Sequence, residues 1–91
     1  MSIMVRIPTP LRSVTDGQAK VSVEGSSINE IIGSLDSQFP GIKERLCDDQ
    51  GMLRNFVNIY VNGEDIRFLE GIDSVTKEGD DISIVPAVAG G

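Results

Sequence analysis

The run Ile84-Val85-Pro86-Ala87-Val88-Ala89-Gly90-Gly91 closes the sequence, and the carboxylate of Gly91 has the clearest chemistry to offer. Glycine has no Cβ, so two in succession can lie extended in a narrow channel and let a reacting atom come close. An α-carboxylate on such a tether can be delivered into another protein's active site. The competing reading is an inert chain end. The rest of the chain has little catalytic equipment. It contains no His, which removes the commonest general base, the Ser-His-Asp and Cys-His arrangements and most zinc sites. Cys47 stands alone, so no intrachain disulfide or cysteine cluster forms. With only Arg45 as a basic neighbour it reads as a structural thiol rather than a sulfur relay. The carboxylate pairs Asp48-Asp49, Glu64-Asp65 and Asp80-Asp81 read as turn and solvated residues, because successive strand residues point to opposite faces. No catalytic residue, metal ligand or intrinsic cofactor is expected. Arg12 and Arg67 are expected to pair with acidic groups on a partner or in surface salt bridges.

Ninety-one residues make one domain, with enough chain for a single unstapled core. Trp is absent and aromatic residues are few, so Ile, Val and Leu must build that core. A net charge of -6 with eight scattered basic residues argues against nucleic acid and against an anionic membrane surface. It suits a partner with a basic docking face. Met1 to Pro8 lacks the long apolar stretch of a signal peptide, and no run reaches the length of a membrane span. The cytoplasm is the expected compartment.

The elements that would position the chain end are legible from periodicity. Ile3, Val5 and Ile7 alternate with Met4 and Arg6, as in a strand with one buried face. Lys20 to Glu24 alternates again, and the two strands are expected to form a hairpin with a longish loop and no helix between them. Ser27-Ile28-Asn29-Glu30 fits a capping box, and Ile28, Ile31, Ile32, Leu35 and Phe39 follow as one helical stripe. Pro40-Gly41 ends that helix, and Ile42, Leu46 and Leu53 suggest a short helical turn with a covering loop. Asn55 to Val61 is the strongest strand signal. Asn62-Gly63 is the favoured two-residue hairpin turn, with Asp65 to Phe68 as the expected returning strand. Gly71 to Val75 is irregular, Glu78-Gly79-Asp80 turns, and Ile82 and Ile84 share one face of the last strand. Pro86 stops the pairing because it has no N–H to donate. One apolar helix stripe needs one apolar sheet face, which gives an α+β roll of four to five strands on one main helix. Phe56, Asn58 and Tyr60 alternate against inward Val57, Ile59 and Val61 and are expected to face outward, with Val85 beside them. Phe56, Tyr60 and Val85 are the candidate docking patch.

This order of elements with its terminal Gly-Gly resembles the ubiquitin-like β-grasp fold. More narrowly it resembles the small sulfur carriers: the thiamine sulfur carrier, the small subunit of molybdopterin synthase, and the sulfur carrier of a cysteine-biosynthesis route. The segments that carry the likeness are Phe56-Val57-Asn58-Ile59-Tyr60-Val61-Asn62, Glu64-Asp65-Ile66-Arg67-Phe68 and Val85-Pro86-Ala87-Val88-Ala89-Gly90-Gly91. Ile7-Pro8-Thr9 and Leu11-Arg12 look most like the cysteine-route carrier. The resemblance implies a β-grasp domain over residues 1–86 and a flexible tail over 87–91. It implies that Gly91 is adenylated by an ATP-using, ubiquitin-activating-like enzyme and converted to a thiocarboxylate. Val88, Ala89 and Gly90 would thread into the partner's active site. The sulfur would pass to a PLP-dependent cysteine synthase or, in the alternative branch, to a pterin precursor on the molybdopterin synthase large subunit. ATP, PLP and pterin would belong to those partners, so the chain would be a cosubstrate rather than an enzyme.

Two other function classes share these features. One is a protein modifier joined through Gly91 to a target lysine, which differs in giving a cross-linked adduct instead of a thiocarboxylate. The other is a plain interaction domain with an inert tail. A plant-type iron–sulfur ferredoxin, another use of this fold, fails because one Cys cannot hold the cluster.

Overall fold

Val5 and Ile82 lie side by side at the centre of the sheet, in strands that run parallel although they stand near opposite ends of the sequence. The computed structural model describes residues 2–54 and 57–86. Its strands are β1 (Ile3–Arg6), β2 (Lys20–Val23), β3 (Val57–Val61), β4 (Glu64–Asp65) and β5 (Asp81–Pro86), and its helices are α1 (Ile28–Gln38) and α2 (Ile42–Leu46). The sheet has five strands in the order β2-β1-β5-β3-β4. Only the β1–β5 pair is parallel; β1–β2, β5–β3 and β3–β4 are antiparallel.

Alternation fixes the inner face. Ile3, Val5, Val21, Val23, Val57, Ile59, Val61, Ile82 and Ile84 are all buried. They meet the expected helix stripe of Ile28, Ile31, Ile32, Leu35 and Phe39, which is buried along its whole length. These residues join Ile7, Leu11, Ile42, Leu46, Cys47 and Ile66 in one buried apolar cluster, whose removal from water is the main drive for the roll.

The helix begins where the capping pattern puts it. Ser27 Oγ accepts the Glu30 N–H at 3.2 Å. The Glu30 carboxylate reaches back one residue further than a standard box, accepting from the N–H and hydroxyl of Ser26, both at 3.0 Å. Those bonds, the backbone one first, hold the Glu30 carboxyl below its ordinary range. After α1, Gly41 turns the chain at φ 102°, and Asp36 Oδ1 accepts the N–H groups of Gly41 and Lys43 to launch α2.

Two expectations are corrected. Between β1 and β2 the chain is not free of helix: Thr9–Leu11 forms a 3-10 turn, with Pro10 pre-setting φ and Leu11 buried in the core. The returning strand after Asn62-Gly63 is only Glu64–Asp65. Asp65 accepts the Arg67 N–H at 2.9 Å, which caps a 3-10 turn over Ile66–Phe68. The turn sends Ile66 into the core and leaves Phe68 85% exposed. The stretch after Gly71 adds a third 3-10 turn, Gly71–Asp73.

Candidate functional site

β5 lies between β1 and β3, paired on both sides, and its last residue, Pro86, stands opposite Val57. Whatever follows therefore leaves from the middle of the sheet, at an anchored point. Val88, Ala89, Gly90 and Gly91, the residues with expected chemistry, lie outside the described residues, as does Phe56.

The outer face beside that point carries the other expected site residues. Val85 is opposite Asn58, and Tyr60 is opposite Ser83 and Asp65. Continuing across the sheet, Ser83 is beside Arg6, and Arg6 is opposite Lys20. Tyr60 and Val85 thus share one face, as alternation required. Tyr60 is half-buried, and Val85 and Met4 are exposed. Arg6 Nε donates to both carboxylate oxygens of Asp81, at 3.1 and 3.2 Å. The hydrogen bond and the charge of Asp81 keep that guanidinium more firmly protonated. Asn58 Oδ1 is buried without a hydrogen-bond donor among the described residues, an uncommon condition for a polar atom.

The groups set aside as non-catalytic have structural uses. Cys47 is buried, and burial pushes its thiol up despite the nearby charges of Lys43 and Arg54. A thiol so placed is a poor nucleophile. Asp48 Oδ1 accepts the N–H groups of Gln50 and Met52. Asp80 is buried and accepts from the Lys77 N–H and the Asn62 side chain. Arg12 and Arg67, expected to pair with acidic groups on a partner or in surface salt bridges, each also hold backbone. Arg12 Nε donates to the Ile7 carbonyl at 3.1 Å, and Arg67 Nη2 donates to the Val57 carbonyl at 3.2 Å. Both tie backbone at the end of the sheet where β5 stops. Among the described residues no group of three or more His, Cys, Asp or Glu could hold a metal ion. No helix there is long and apolar enough to cross a membrane.

Residues 5–91 match the model of the ThiS family. The chain belongs to the ThiS family. Within it, this ThiS-family chain is 47% identical over 93 residues to the sulfur carrier protein CysO of Mycobacterium tuberculosis, with both chains covered completely. It is 38% identical over 92 residues to a putative sulfur carrier protein of Archaeoglobus fulgidus, again with complete coverage. Among solved structures it is similar to a chain of the BexX/CysO complex of Amycolatopsis orientalis, with a TM-score of 0.92 and 45% identity. That match covers 98% of this chain and 99% of the other. The ubiquitin-like β-grasp fold inferred from the element order is thus the fold of this ThiS-family chain, and the likeness to the cysteine-route branch holds over its full length.

Sequence reasoning missed the neighbourhood of Arg45 and Arg54. Nine positions apart, they carry no local pattern. They line one groove because the loop between them folds back: Arg54 N–H donates to the Leu46 carbonyl at 2.9 Å and Arg54 Nε to the Glu44 carbonyl at 3.0 Å.

Proposed function

We propose that this chain is a sulfur carrier whose working group is the Gly91 carboxylate. The full-length likeness to CysO carries this reading, together with a family match that runs to residue 91. A carboxylate is a poor electrophile. Attack of its oxygen on the α-phosphate of ATP would release pyrophosphate and give an acyl-adenylate, whose AMP is a good leaving group. A sulfur donor would then displace AMP and leave a thiocarboxylate on Gly91. That soft nucleophile, held on a tether leaving the roll after Pro86, would pass its sulfur to an acceptor without free sulfide diffusing. Val88, Ala89 and Gly90 would thread the partner's channel, where the small side chains allow close approach. The catalytic groups and the cofactors would be the partners' own, so the chain would serve as a cosubstrate. By likeness to CysO, the acceptor enzyme would be a PLP-dependent cysteine synthase.

The test is intact mass after incubation with a cognate adenylating enzyme, ATP and a sulfur donor. The expected result is an oxygen-to-sulfur increment localised to Gly91, absent when Gly91 is deleted. Lack of adenylation by any cognate enzyme would overturn the reading. Sulfur transfer to a pterin precursor, with none to a PLP-dependent synthase, would overturn the cysteine assignment.

A further inference from the structure

The end of the sheet where β5 stops has a second feature besides the tail. β1 runs parallel to β5, so the chain following β1 emerges at that same end and brings Pro10 and Leu11 with it. Folding of the loop after α2 brings Arg45 and Arg54 there as well. Together with Val57 and Ile84 these residues line a groove of about 350 Å³. Its floor is apolar and its wall is cationic, with Glu44 the one carboxylate on its rim. Arg45 is exposed, with no ion pair among the described residues, and Arg54 spends only its Nε on the Glu44 carbonyl. In a chain of net charge -6, two guanidinium forks over an apolar floor run against the overall charge. Such forks match carboxylates in paired hydrogen bonds.

Reach decides who meets this groove. Five residues separate Pro86 from the end of the chain and span at most about 17 Å. A protein that acts on the Gly91 carboxylate must therefore press against this end of the sheet. We infer that the groove is the docking site for an acidic segment of the adenylating partner, a carboxylate set between Arg45 and Arg54 with a neighbouring aliphatic or aromatic side chain on the floor. This rests on Gly91 being processed by a second protein, and it differs from the Tyr60–Val85 face in position and charge. The acidic remainder of the chain would still prefer a basic surface, so the groove also sets the docking orientation.

The experiment uses the full chain, its cognate adenylating enzyme and the mass readout above, run as initial rates. Arg45→Glu changes an exposed, unpaired side chain. Its expected effect is a rise in KM for the chain of about tenfold or more with kcat held, and a weaker dependence of KM on salt. Arg45→Lys keeps the charge but loses the fork, so its KM should fall between those of wild type and Arg45→Glu. Arg54→Gln, which keeps a donor for the Glu44 carbonyl, should raise KM in the same direction. An unchanged KM in both variants, with wild type turning over normally, would overturn the proposal. So would a lowered KM, which would assign the groove to the chain's own carboxylate. If wild type is never adenylated, the carrier reading itself fails and takes this proposal with it.

Discussion

Asn62 and Asp80 join the β3–β4 turn to the start of β5. The Asn62 amide donates to the buried Asp80 carboxylate at 3.0 Å, and its carbonyl accepts the Asp81 N–H at 3.0 Å. The same Asp80 carboxylate accepts the Lys77 N–H at 2.9 Å. Asn62 thus serves twice. It takes the left-handed φ of 53° that the two-residue turn requires, and its side chain fastens that turn to the strand from which the tail leaves.

Replacing Asn62 by Asp keeps the shape but sets one carboxylate against another and removes the donor. Asn62→Asp should lose about 2 kcal/mol at neutral pH, measured by urea denaturation. Asn62→Gly keeps the backbone geometry and loses only the side-chain bonds, so it should lose less. Equal stability of Asn62→Asp and wild type would refute the linkage.

Glu30 makes stability depend on acid. Its carboxyl is held below the ordinary range by Ser26, so the charged form is favoured in the folded chain. A depressed folded value contributes stability above the unfolded value and loses it as pH falls through the folded value. Wild type should therefore exceed Glu30→Gln in Tm at neutral pH. The gap should narrow as pH drops below about 4.3. A gap that is constant with pH would contradict the capping role.

Asn58 offers the opposite sign. Its buried Oδ1 has no donor among the described residues, and its strand position suits a β-branched side chain. Asn58→Val should gain about 1 kcal/mol, seen as a higher urea midpoint with an unchanged slope. A loss would show that the amide has a partner in solution.

Val85 tests the outer face. It is 42% exposed and faces away from the core, so Val85→Asp should keep the fold and lower Tm by only a few degrees, the cost of a poor strand former in a central strand. If the Tyr60–Val85 face docks the adenylating partner, the variant should raise KM for the chain about tenfold. Normal KM would remove that face from the interface.

Much of the fold was legible because its signals are local. The Ile28-to-Phe39 stripe, the Ser27–Glu30 cap, the left-handed Asn62-Gly63 turn and the in–out alternation of β3 and β5 each depend on residues within a few positions of one another. The resemblance to sulfur carriers also rested on contiguous segments, and it is what points to Gly91, which lies outside the described residues. Only the tertiary structure could set β1 parallel to β5, because that pairing joins residues more than seventy positions apart and has no local periodicity. It showed that Arg12 and Arg67 each donate to a backbone carbonyl at the end of the sheet. It stopped the strand at Asp65, where the Asp65 carboxylate accepts the Arg67 N–H and caps a 3-10 turn. It also brought Arg45 and Arg54 to the end of the sheet where β5 stops. Backbone conformation and side-chain alternation are set by near neighbours, whereas which charged groups converge on one surface is set by how the whole chain buries its apolar face.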